Sequence, residues 1–156
     1  MSTARDLLDI LRDRGQSLCT AESLTGGLLC AGLTDIPGAS DVVRGAVVAY
    51  TTAVKRDVVG IDPEILRVHG AVSAETAAAM ADRACGLFGA TWALSTTGVA
   101  GPASQEGNPV GTVFVGLSGP RREVVELHLR GDRQAIREET CESAMRLLLG
   151  AVEYPG

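Results

Sequence analysis

The chain has 156 residues and a formal net charge of −5, enough length for one ordinary domain with a core of its own. Its residues are 46% hydrophobic but only 3% aromatic, so the core has to be aliphatic, which argues against modules that stack nucleobases on aromatic side chains. The acidic balance argues equally against a binder of nucleic-acid backbone, and no apolar run approaches the length of a membrane span.

Taken in chain order, Thr3 to Arg14 reads as an amphipathic helix with Leu7, Leu8, Ile10 and Leu11 on its apolar side, ended by Gly15. The segment before Ile10 carries Arg5, Asp6 and Asp9 in place of a signal-peptide core, so a cytoplasmic protein is expected. Ser17–Ala21 is a strand, followed by a turn rich in hydroxyls and glycine and a helix to Leu33. Val42 to Tyr50 is β-branched and apolar and reads as a buried strand. Thr52–Val59 and Pro63–Val68 form short helices, and Ser73 caps a long alanine-rich helix, Ala74 to Leu87. Trp92–Thr96 is strand-like and runs into a second glycine-bearing loop, 97–102. Gly111–Leu117 and Glu123–Leu129, joined by Ser118-Gly119-Pro120-Arg121, make an antiparallel hairpin. Asp132 caps a closing helix to Val152.

Strands separated by helices, then a hairpin, predict a single domain over residues 1–156: a three-layer α/β/α sandwich on a mixed sheet of about five strands. Ligands in such sheets bind at the carboxyl ends of the strands, and Ser23, Tyr50 and Thr97 each fall at or just past one. The four cysteines are scattered with no CxxC pair, and only His69 and His128 are available beside them, so neither a disulfide nor a structural metal is expected.

The turn Thr20-Ala21-Glu22-Ser23-Leu24-Thr25-Gly26-Gly27 leads from a strand into a helix N-terminus, where backbone N–H groups and the helix dipole favour negative charge. Helix capping alone accounts for such a turn; it can also hold an oxyanion or present Ser23 as a nucleophile. Serine needs a base. The chain has a single lysine, Lys55, beside thirteen arginines, five residues after Tyr50. A desolvated Lys55 can accept a proton, with Tyr50 relaying it or holding the amine in place. The loop Thr97-Gly98-Val99-Ala100-Gly101-Pro102 offers N–H groups and the Thr97 hydroxyl. Arg133 and Arg137, on the first turns of the last helix, are placed either to clamp a phosphate or to pair with Glu138 and other surface acids.

In order and spacing these pieces resemble the CinA C-terminal domain family, whose stand-alone members are nicotinamide-nucleotide amidohydrolases. The resemblance runs from Ser17 to about Leu149. It is carried by the Thr20–Gly27 turn, Thr34-Asp35-Ile36-Pro37-Gly38-Ala39-Ser40, Arg44-Gly45, Tyr50 with Lys55, and His69-Gly70-Ala71-Val72-Ser73. Further along it is carried by the 97–102 loop, Pro109-Val110-Gly111-Thr112-Val113 and Gly131-Asp132-Arg133.

The resemblance implies cofactor-free hydrolysis of nicotinamide mononucleotide to nicotinic acid mononucleotide and ammonia, a small pyridine nucleotide being the partner. It implies Ser23 as nucleophile with Lys55 and Tyr50 as its activating pair. Glu22, Thr25, Gly26 and Gly27 would line the substrate turn, with N–H groups from Thr25 to Gly27 on the oxyanion. Thr97, Gly98 and Gly101 would orient the amide or ribose, and Arg133 would meet the 5′-phosphate.

Two departures stand out: Thr51-Thr52 replaces the family's usual Ser-Asn, and Ala103–Asn108 lacks its usual lysine. The length is that of a stand-alone member, and the aliphatic helices leave room for a second subunit. The competing expectation is a non-catalytic interaction module of the competence or damage-inducible type, for which retention of Ser23, Tyr50 and Lys55 would be superfluous. A phosphate-loop nucleotide binder is disfavoured because no GxxxxGK[ST] pattern occurs.

Overall fold

The computed structural model describes residues 2–154. Five strands form one mixed sheet in the order β2-β1-β3-β4-β5: β1 (Leu18–Glu22), β2 (Val43–Val48), β3 (Trp92–Gly98), β4 (Thr112–Ser118) and β5 (Glu123–His128). β1 pairs in parallel with β2 and β3, while β4 runs antiparallel to β3 and β5 antiparallel to β4. The parallel strands therefore end at one edge, β4 starts there, and β5 returns the chain to it.

Helices cover both faces. Side chains alternate along each strand, so Leu18 and Leu94 face one cluster with helices α1 (Thr3–Asp13), α2 (Leu28–Thr34) and α6 (Arg133–Glu153). Cys19, Ala21 and Ala93 face the opposite cluster with α5 (Ala74–Phe88). Around that second layer lie α4 (Pro63–His69) and a short α3 (Thr52–Val54), which passes directly into a π-helical turn, Lys55–Val59. The three-layer sandwich expected from the element order is what forms.

The amphipathic reading of the first helix holds: Leu7, Leu8 and Leu11 are fully buried and Ile10 packs at the edge of the same cluster. Each such leucine contributes on the order of 2 kcal/mol through burial. Alanines at Ala77, Ala81 and Ala84 let α5 lie close on the sheet, which is how an aromatic-poor core still fills.

Several boundaries shift by a residue or two from the sequence expectation, and three of the shifts, all at the strand-end edge, bear on the site. β1 extends to Glu22, one residue further. β3 continues through Thr97 and Gly98, so the second glycine loop starts at Val99. β2 stops at Val48, freeing the Ala49 and Tyr50 carbonyls from the ladder for another partner.

Candidate active site

The register brings the three parallel strand ends level, with Glu22 opposite Val48 on one side and Thr96 on the other. The ladder extends by Ala49 N donating to Glu22 O at 2.7 Å and Ser23 N donating to Thr96 O at 3.0 Å. Ser23 is thus fixed at the centre of the sheet's edge, between the ends of β2 and β3. A cavity of about 260 Å³ opens above it, lined among others by Ser23, Tyr50, Lys55, Thr97, Gly98, Gly101 and Arg133.

Lys55 is the central feature. Thr51 caps α3, its hydroxyl accepting from Val54 N at 3.2 Å, and the π-turn that follows starts at Lys55. Such π-turns widen the helix and recur at functional sites. The lysine is 1% exposed, and its Nζ donates to Ser23 Oγ at 2.8 Å, Ala49 O at 2.8 Å and Tyr50 O at 3.1 Å. Three acceptors match the three donors of an ammonium group. The same geometry equally fits a neutral amine, which keeps two carbonyl bonds and turns its lone pair to the Ser23 hydroxyl. Burial pulls the Lys55 pKa down from its ordinary 10.5 to about 8, opposed in part by the carboxylate of Glu106. Among the described residues no carboxylate bonds directly to the amine, and desolvation outweighs the pull of Glu106 on its ionisation. The site holds a serine and a lysine in proton-transfer geometry.

Tyr50 holds the amine in place through its main-chain carbonyl. Of the two roles open to Tyr50 from sequence, relaying the proton or holding the amine, the phenol is not positioned for the first: the ring is exposed, and its hydroxyl accepts from Arg133 Nη2 at 2.8 Å. Arg133 Nη1 also donates to Gly101 O at 2.7 Å. The guanidinium therefore joins the end of β2 to the loop after β3 across the cavity rim. Asp132 caps α6 by accepting from Ala135 N at 2.8 Å, which fixes where Arg133 emerges.

The expected roles of Glu22, Thr25, Gly26 and Gly27 need correction, since none of them lines the cavity. Glu22 is fully buried, and its side chain points down into the α2 layer because it shares the parity of Leu18 and Thr20. Its carboxylate accepts from Thr20 Oγ1, Thr25 Oγ1, Gly27 N, Leu29 N and Cys30 N at 2.7–3.1 Å. Among the described residues it forms no ion pair, and the carboxylate is tolerable there because five donors and the N-terminal end of α2 surround it.

Gly26 and Gly27, with φ of +57° and +104°, bend the chain so that those N–H groups converge on it. Gly26 N donates to Ser23 O, so neither glycine N–H is free for an oxyanion. The N–H groups of Leu24 and Ala100, both at the cavity wall, meet no acceptor among the described residues.

Thr97 is buried in the wall, its hydroxyl donating to Ala71 O at 2.7 Å and keeping its lone pairs as acceptors. Arg137 does not reach the cavity, nor does it pair with Glu138; it donates to Leu24 O at 2.9 Å and Thr25 O at 3.1 Å and so clamps the Ser23 turn from beneath. Thr51, Thr52, Ala71, Val72, Ala103 and Gln105 also line the cavity, residues to which the sequence reading gave no site role. His69 and His128 are exposed and lie beside Glu75 and Glu126, outside the cavity lining. Among the described residues no helix is long and apolar enough to cross a membrane.

Comparison with known proteins agrees with this architecture. The CinA C-terminal domain model matches residues 1–152. A "CinA-like protein" of Frankia casuarinae is 49% identical over 91% of this chain and 33% of its own length. A "putative competence-damage inducible protein" of Bacillus pumilus is 42% identical over 97% of this chain and 37% of its own. The chain thus spans about one third of the length of these relatives.

Among solved structures, a competence/damage-inducible protein from Agrobacterium tumefaciens superposes with a TM-score of 0.91 at 36% identity, covering 97% of this chain and 94% of that one. A CinA superfamily protein from Klebsiella pneumoniae gives 0.93 at 31% identity, covering 98% and 99%. With the family model spanning nearly every residue and whole-chain structural matches beside it, the chain belongs to the CinA C-terminal domain family.

Proposed function

We propose that this protein is an amidohydrolase that converts nicotinamide mononucleotide to nicotinic acid mononucleotide and ammonia. The observation that carries the reading is the 2.8 Å approach of a buried Lys55 Nζ to Ser23 Oγ at the floor of a cavity. A serine hydroxyl is a weak nucleophile at neutral pH, and an amine whose pKa falls near the working pH is suited to take its proton.

In this mechanism Ser23 Oγ attacks the carboxamide carbon while its proton passes to neutral Lys55. The tetrahedral oxyanion receives the N–H of Leu24, which follows the nucleophile directly, and that of Ala100 across the cavity. The C–N bond then breaks, and Lys55 returns the proton to the leaving nitrogen, which departs as ammonia. Water attacks the resulting ester with Lys55 as base, releasing the carboxylic acid and restoring Ser23. Thr97 accepts from the amide NH2 through its free lone pairs, and Arg133 meets the 5′-phosphate at the rim.

Ammonia release from nicotinamide mononucleotide, measured with EDTA present on wild type, Ser23→Ala and Lys55→Ala, tests the reading. Release by wild type that both substitutions abolish in folded protein is the expected result. No release from folded wild type would move the reading to a non-catalytic interaction module.

A further inference from the structure

The loop 103–108 holds an acid that the mechanism above does not use. Glu106 sits at φ +52°, in the left-handed region that non-glycine residues rarely enter. It is held there by a tight bridge in which Gln105 N donates to Asn108 O at 3.1 Å and Asn108 N to Gln105 O at 2.8 Å. The unusual backbone aims its carboxylate at the turn before α5, where it accepts from Ala71 N at 3.0 Å and Val72 N at 2.8 Å.

Ala71, Val72 and Gln105 all line the cavity, so the carboxylate lies directly behind its wall. Gly70 is part of the same fit: it adopts φ +79°, and a Cβ there would meet Glu106 Oε2 at 2.8 Å. The two N–H groups fix the position of the charge without cancelling it. Its field is felt inside the site, where it holds the Lys55 ammonium pKa above what burial alone would give. The other acid near the nucleophile, Glu22, is turned into the core with all its donors satisfied. The cavity therefore has a fixed negative charge behind the Ala71–Val72 wall and a guanidinium at the Tyr50–Gly101 rim.

We infer that Glu106 is a specificity-determining residue whose carboxylate selects a substrate amide carried on a positively charged ring, an N-glycosylated pyridinium, over a neutral amide of the same shape. The inference rests on the amidohydrolase reading and adds to it the residue that reads the ring charge. A pyridinium bearing its carboxamide at Ser23 places its ring charge within the same small cavity. A ribose 5′-phosphate leads away from that charge toward Arg133. Such a zwitterion matches both ends of the site, whereas a neutral ring gains nothing from Glu106.

The test compares two ligands that share carboxamide, ribose and phosphate and differ in ring charge: nicotinamide mononucleotide and its reduced, dihydropyridine form. Dissociation constants are measured by calorimetry in the Ser23→Ala protein, which stops turnover, with and without Glu106→Gln. Glutamine keeps the size of the loop residue and removes its charge, but its NH2 also replaces one of the two acceptors for Ala71 N and Val72 N; the reduced form reports what that lost contact costs by itself. The expected result is a loss for the cationic nucleotide about fivefold greater than any loss for the reduced form, the size of one partly solvated charge pair.

Equal loss for both ligands would make Glu106 a clasp for the loop and nothing more, and would overturn the inference, as would no loss for either. These outcomes leave ammonia release by the wild type untouched. Wild type that neither binds nor hydrolyses the mononucleotide would instead overturn the amidohydrolase reading, and the ring-charge assignment with it.

Discussion

Lys55 Nζ and Ser23 Oγ lie 2.8 Å apart although 32 residues separate them in the chain, and the lysine that makes this bond is 1% exposed. Neither residue could hold the position alone. Ser23 is anchored by the ladder between β1 and β3, and Lys55 by two carbonyls released where β2 ends early. The pair is a product of sheet topology: parallel neighbours end at one edge, and the residues just past their ends converge.

That geometry makes Lys55→Arg a sharper probe than Lys55→Ala. Arginine keeps the positive charge and donates as readily, but its guanidinium does not deprotonate in the range where enzymes work. If Lys55 acts as the base, Lys55→Arg lowers kcat by about 10²–10⁴-fold. Steady-state ammonia release, with circular dichroism to confirm the fold, reads the outcome. Retention of most of the activity would show that a fixed cation suffices and that Lys55 does not move protons.

The rate should also follow the amine's ionisation. Because burial lowers the Lys55 pKa to about 8, the reactive neutral form grows as pH rises toward that value. kcat/KM is expected to climb about tenfold per unit at low pH and to level above about pH 8. Glu106 pulls the pKa upward, so Glu106→Gln should move the rising limb to lower pH.

The same group bears on stability with a definite sign. Between about pH 8 and 10.5 the unfolded chain holds a proton on Lys55 that the folded chain has lost, so this contribution to stability rises with pH across that window. A flat rate profile from pH 6 to 9 would contradict the assignment of the base.

Glu22 offers a prediction about folding instead of chemistry. A carboxylate is acceptor-only, and all five of its bonds use that property. Glutamine must turn an NH2 group toward either the Gly27 and Leu29 amides or the Cys30 amide, setting donor against donor. Glu22→Gln should therefore lower stability by about 3 kcal/mol, read from urea denaturation midpoints. Activity falls as well, because the Ser23 turn is built on these bonds. A loss under about 0.5 kcal/mol would show that the buried carboxylate is not what holds the turn.

Much of this architecture is legible in the sequence. Strand–helix alternation and the final hairpin carry the sandwich, and Ser23, Lys55 and Thr97 come together because strand ends do. What the sequence did not reveal depends on side-chain direction. The family resemblance implies that Glu22 lines the substrate turn, yet strand parity turns it to the opposite side. The parity of Leu18 and Thr20 was a usable signal for that. Glu106 gave no local signal at all, since its partners Ala71 and Val72 lie some 35 residues away. The five-residue spacing of Tyr50 and Lys55 suggested two side chains meeting. The meeting instead involves one side chain and one carbonyl, because β2 ends before Tyr50 and leaves that carbonyl unpaired.

This last distinction is directly testable with Tyr50→Phe. The substitution leaves the Tyr50 carbonyl on Lys55 Nζ and removes only the hydroxyl that meets Arg133. If the carbonyl is what serves the amine, kcat should change less than about threefold, while KM for the mononucleotide rises because Arg133 loses one of its two supports. Arg133→Ala should raise KM further, by about tenfold, and should do so for the mononucleotide but not for the riboside that lacks the phosphate. A fall in kcat of about 10²-fold in Tyr50→Phe, with KM unchanged, would restore the phenol as the proton relay. It would also mean that the ring leaves Arg133 and swings inward when substrate binds.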